Sequence, residues 1–81
     1  MNDHQDSENF SYEREWKEIY DLLHEAERKQ NQHLLALQNT RLTKKQKVKH
    51  MRDFKGLQGV IHALRWTLGD NNMPRKKVLG D

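Results

Sequence analysis

Along the first half of the chain the positions Tyr12, Trp16, Ile19, Leu23, Ala26, Gln30, His33 and Leu37 are spaced by alternating steps of four and three, and six of the eight are apolar. That period places them on one side of a helix. Ser11 supplies an N-cap hydroxyl, and Glu13 and Glu15 put negative charge where the helix dipole favours it. The polar run 28–32 weakens the seam without a Gly or Pro, and Leu34, Leu35 and Leu37 resume it. The pattern predicts one helix over about residues 12–38, left through Asn39 and Thr40.

Thr43-Lys44-Lys45-Gln46 then has the form of a capping box, in which the hydroxyl and the amide side chain satisfy orphan backbone N–H groups reciprocally. No hydrophobic staple accompanies it, because Lys47 stands where Leu42 would need an apolar partner. Phe54, Leu57, Ile61, Leu64 and Leu68 continue at helical spacing, with Val48 and Met51 extending the stripe toward the turn. Gly69 follows where a left-handed residue closes a helix, giving a second helix over about 44–68. A short turn between two helices of similar length forces them antiparallel. The fold class expected is all-α: an antiparallel two-helix hairpin over 11–69, a flexible acidic arm over 1–10 from which Phe10 docks, and a basic extended tail over 70–81. Facing residues should have numbers summing to about 82, which brings His33 to His50 and Trp16 toward Trp66.

Composition bears on whether such a hairpin is self-sufficient. With 81 residues, 33% hydrophobic and 33% charged, the core must be thin. There is no cysteine, so neither disulfides nor thiolate zinc sites can reinforce it, and association with another chain is the remaining route. No apolar run reaches the ~18 residues of a membrane span, and the acidic start is unlike a secretory signal. The expectation is a soluble protein, intracellular or carried in a virion, with no membrane partner.

The net charge of +3 conceals a polarity. Residues 1–27 carry nine acidic side chains against Arg14 and Lys17, 2 − 9 = −7, so the remainder carries +10. Arg41, Lys44, Lys45, Lys47, Lys49, Arg52 and Lys55 crowd the turn with only Asp53 in opposition. Lys45, Lys49, Arg52 and Lys55, with Arg75, Lys76 and Lys77 of the tail, could contact phosphates. The bland alternative is a solvated helix end, since the lysines point all round the helix and no set is arranged for base readout. Copies arranged head to tail would join unlike charges, a geometry that closes rings.

Signatures of catalysis do not occur. His24-Glu25 begins the zinc-protease pattern, but Arg28 stands where its second histidine belongs. His33 and His50 alone are too few ligands for a metal site. Two helices enclose no pocket, so no enzyme, cofactor or small-molecule substrate is expected. Gly56-Leu57-Gln58-Gly59 matches a G-x-x-G loop, yet no strand pattern flanks it. Within a helix Gly56, Gly59 and Ala63 instead form a small-residue row, which admits either the close approach of another helix or a bend. Trp16 reads as hairpin core. Trp66 lies off the seam and is the expected interface anchor, together with Gly56, Gly59 and Ala63.

The stretch Gly56 to Asp70, G-L-Q-G-V-I-H-A-L-R-W-T-L-G-D, within its polar-flanked hairpin resembles small uncharacterised helical proteins of tailed bacteriophages. The resemblance implies a virion-associated or assembly role and transfers no functional residue. Three functions follow in order: a structural or adaptor protein that forms a homo-oligomer or docks on a larger protein partner; a nucleic-acid-binding accessory protein using the basic turn; and a small inhibitor that covers a host protein surface with its acidic arm.

Overall fold

The computed structural model describes residues 13–80, in which three helices follow one another: α1 (Trp16–Leu37), α2 (Lys44–Thr67) and the single-turn α3 (Arg75–Val78). The long helices pack on each other and no strand occurs among the described residues, so the all-α hairpin is the observed fold. The acidic arm 1–10, Ser11 and Tyr12 lie outside the described residues.

Helix α1 starts later than the apolar spacing suggests. Glu15 is its extended N-cap residue, and the Glu18 carboxylate accepts a hydrogen bond from the Glu15 backbone N–H at 3.1 Å. Glutamate three residues into a helix satisfies an orphan donor and suits the dipole at once. The far end stops at Leu37, where the Asn39 side chain accepts from the Arg41 N–H at 2.9 Å and bends the chain into the turn. Helix α2 begins as its sequence dictates: Thr43 Oγ1 accepts from the Gln46 N–H at 3.2 Å, and Gln46 Oε1 accepts from the Thr43 N–H at 2.9 Å. It closes at Gly69, whose φ of +85° lets Asp70 N–H reach the Arg65 carbonyl and Gly69 N–H reach that of Trp66, both at 3.0 Å.

The register is close to the expected one. Gln30 donates to the Phe54 carbonyl at 3.4 Å, and His33 meets His50 at 2.9 Å. Leu23 and Ala26 of α1 and Ile61 of α2 form the buried core, with Leu57, Leu64 and Leu68 packed partly against it.

The tail corrects the sequence reading. Instead of running extended, it reverses at Asp70, whose side chain accepts from the Asn72 N–H at 2.9 Å, and buries Met73. Pro74 then opens α3, which packs on α2. Proline is pre-shaped for a helix start, the cations Arg75, Lys76 and Lys77 suit the end of so short a helix, and Gly80 at φ +84° closes it.

Candidate interaction surfaces

At 100° per residue, Gly56, Gly59, Ala63 and Trp66 lie about 140–160° around α2 from buried Ile61. Gly59, Ala63 and Trp66 therefore lie on the side of α2 away from α1, while Gly56 stands at its edge, lining a shallow recess with Lys29 and His33 of α1. A Cβ built at Gly56 or Gly59 would meet nothing within 4 Å, so open space lies beside both glycines. Both glycines sit inside one uninterrupted helix. Trp66 is 48% exposed and lines a small open groove of about 200 Å³ with Arg75, Val78 and Leu79, so the tail partly occupies the neighbourhood of the expected anchor.

Trp16 is a further correction: it is 66% exposed rather than core. It falls about 60° around the helix from Ile19, and as the first residue of α1 it has no preceding turn to hold it against α2. Among the described residues the ring contacts are Tyr20 with His24 and His33 with His50, so Trp16 and Trp66 do not meet.

The cations are divided among three places. Lys45, Lys49 and Arg52, with Lys44, line an open groove of about 950 Å³ that also includes Gln46, Val48 and Asp53. Asp53 is 3.2 Å from Lys49 Nζ and offsets part of this charge. Lys55 lies on another side of α2, beside Leu34, Leu37, Met51 and Phe54. Arg75, Lys76 and Lys77 are on α3, beyond the opposite end of α2. The first half of α1 neutralises some of its own acidity in the same way: Lys17 Nζ donates to Asp21 at 2.7 Å, and the hydrogen bond and adjacent charge raise the ammonium above its ordinary pKa.

Besides the Gln30–Phe54 hydrogen bond, side-chain pairs link the two helices at two places. Arg65 pairs with Glu27 of α1 and, at 3.5 Å, with Asp70, tying both helices to the start of the tail. The pairing of Glu27 with Arg65 was not expected from the seam pattern, because neither residue is apolar; only the opposite signs at cross-helix neighbours could have suggested it. Nearer the turn, the Nδ1 atoms of His33 and His50 are 2.9 Å apart, and His33 Nε2 is 4.0 Å from Asp53. One ring donates and the other accepts; two doubly protonated rings would have no acceptor between them. No group of three or more metal-ligating side chains gathers among the described residues.

No described helix is long and apolar enough to cross a membrane. No protein-family model matches the chain, and neither a curated protein nor a solved structure matches it.

Proposed function

We propose that this chain is a non-enzymatic structural or adaptor protein that completes its fold by covering apolar surface with another protein. One observation carries the reading: four hydrophobic side chains are buried among the described residues, whereas Trp16, Tyr20, Leu22, Leu34, Leu35, Val48, Met51, Val60, Trp66 and Leu79 are large and exposed. Scattered exposed leucines are ordinary, but a surface richer in large apolar groups than the core is the mark of an unfinished interface. The resemblance of Gly56 to Asp70 to helical proteins of tailed bacteriophages favours virion assembly as the setting of this proposal.

Unfolding of the isolated chain at micromolar dilution tests this. A net stability below about 3–5 kcal/mol, with binding of a hydrophobic dye by the native state, is the expected result. A cooperatively folded monomer in the ordinary range of about 5–15 kcal/mol, silent to the dye, would count against it.

The basic groove favours a second reading, nucleic-acid binding, because Lys44, Lys45, Lys49 and Arg52 line one continuous surface. That reading expects a mobility shift at low salt that Lys45→Glu, Lys49→Glu and Arg52→Glu together abolish. Duplex and single strands that both fail to shift at low ionic strength would end it.

A further inference from the structure

One flank of the hairpin carries a pattern that the separate helices do not reveal. On α1, Trp16, Glu27 and Leu34 lie within about 20° of one another around the helix axis, and Tyr20 within about 40°. Leu34 shares a surface recess with Leu37, Met51 and Phe54 of the hairpin's turn half. Glu27 bonds Arg65, which places that ion pair on the same flank. Read along its length, this flank begins with aromatics 66% and 53% exposed at Trp16 and Tyr20, passes through the Glu27–Arg65 pair, and ends at Leu34 and Met51, which are 44% and 52% exposed.

Resting on the reading above that the chain covers its apolar surface with another protein, we propose that the occupant of this flank is a second copy of the chain, related by a two-fold axis and running antiparallel. The two copies form a four-helix bundle. Two-fold pairing centred near Glu25 sets Trp16 and Tyr20 of each copy against Leu34 and Met51 of the other, joining the two apolar ends of a surface whose middle is polar. The two Glu27–Arg65 pairs then meet side by side at the centre, with each sign next to its opposite, which fixes the register.

Charge selects the direction. An antiparallel pair sets the end where α1 begins, with six acidic side chains in residues 13–27 against Arg14 and Lys17, alongside the partner's turn end with Lys47 and Lys55. The attraction is between oppositely charged ends, since Glu18 and Asp21 point away from the flank. A parallel pair would oppose the turn cations of both copies. The flank runs about 27 Å from Trp16 to Leu34, the low end of stable interfaces, so association belongs in the micromolar range.

Sedimentation equilibrium of the full chain between about 1 and 200 µM tests the proposal. The mass should rise from 9.8 kDa toward twice that value. Leu34→Glu with Met51→Glu should weaken association at least ~10-fold while helix content holds, since both side chains are already half exposed in the hairpin. Gly56→Ala, on the other flank beside Lys29 and His33, should leave the mass unchanged. In a Trp66→Phe background, Trp16 becomes the sole indole, and its emission should move to shorter wavelength as concentration rises. A monomer throughout the range overturns the proposal, as does a dimer indifferent to Leu34→Glu with Met51→Glu or a Trp16 spectrum that never shifts. Each of those results leaves the adaptor reading to its own dilution test, where only a stable, self-sufficient monomer defeats it.

Discussion

The two halves of the hairpin share the same pair of helices and are held together differently. Away from the turn, Leu23, Ala26 and Ile61 are buried and the Glu27–Arg65–Asp70 bridge links both helices to the tail. Toward the turn, no residue between 31 and 56 is buried, and the helices meet through a histidine pair and half-covered side chains such as Leu37 and Phe54. One half contains enough apolar contact to define the fold. The other presents helical surface that local hydrogen bonding and capping keep ordered but little tertiary packing secures, which is the arrangement expected of a region finished by association.

The difference can be broken most directly in the core. Ile61→Ala should cost about 2–5 kcal/mol in denaturant unfolding, enough to unfold so small a domain, whereas Met51→Ala in the turn half should cost under about 1 kcal/mol in the monomer. The turn half depends more on its cap. Thr43→Ala removes the hydroxyl that accepts from Gln46 and should lower the melting stability by about 1 kcal/mol. Gly59→Ala sharpens the comparison from the opposite direction: the glycine is helical with open space beside it, so alanine should stabilise the isolated chain by about 0.4–1 kcal/mol. The smallest effect is the coupling between Glu27 and Arg65. Their side chains remain 31% and 39% exposed, and a double-mutant cycle should return no more than about 1 kcal/mol.

Much of this was legible in the residues. Helical periodicity located both long helices, the Thr43 to Gln46 box marked the start of α2 to the residue, and Gly69 marked its end. The register followed from the short turn, and so the His33–His50 contact did too. Three features were hidden for physical reasons. The start of α1 was displaced because Glu15 and Glu18 supply a cap that competes with Ser11, and apolar spacing does not distinguish between them. Trp16 looked like core because it lies only about 20° around the helix from buried Leu23; it is exposed because it is the first residue of α1, level with the end of α2, where little remains to cover it. The tail helix depends on the burial of Met73, a tertiary contact that a four-residue segment cannot announce. The candidate surfaces were legible as residue types and not as faces: the candidate phosphate contacts fall into three separate groups, and the flank that joins Trp16 and Leu34 of α1 to Arg65 and Met51 of α2 exists only once the helices are paired.

Amide hydrogen exchange on the full chain tests the contrast between the halves most directly. The slowest amides should surround Leu23, Ala26 and Ile61. In dilute solution those of residues 34–37 and 48–54 should exchange at least ~10-fold faster, a factor equivalent to about 1.4 kcal/mol. Raising the protein concentration should slow the fast group toward the other. Equal protection of both halves at every concentration would contradict a hairpin that is closed at one end and completed by a partner at the other.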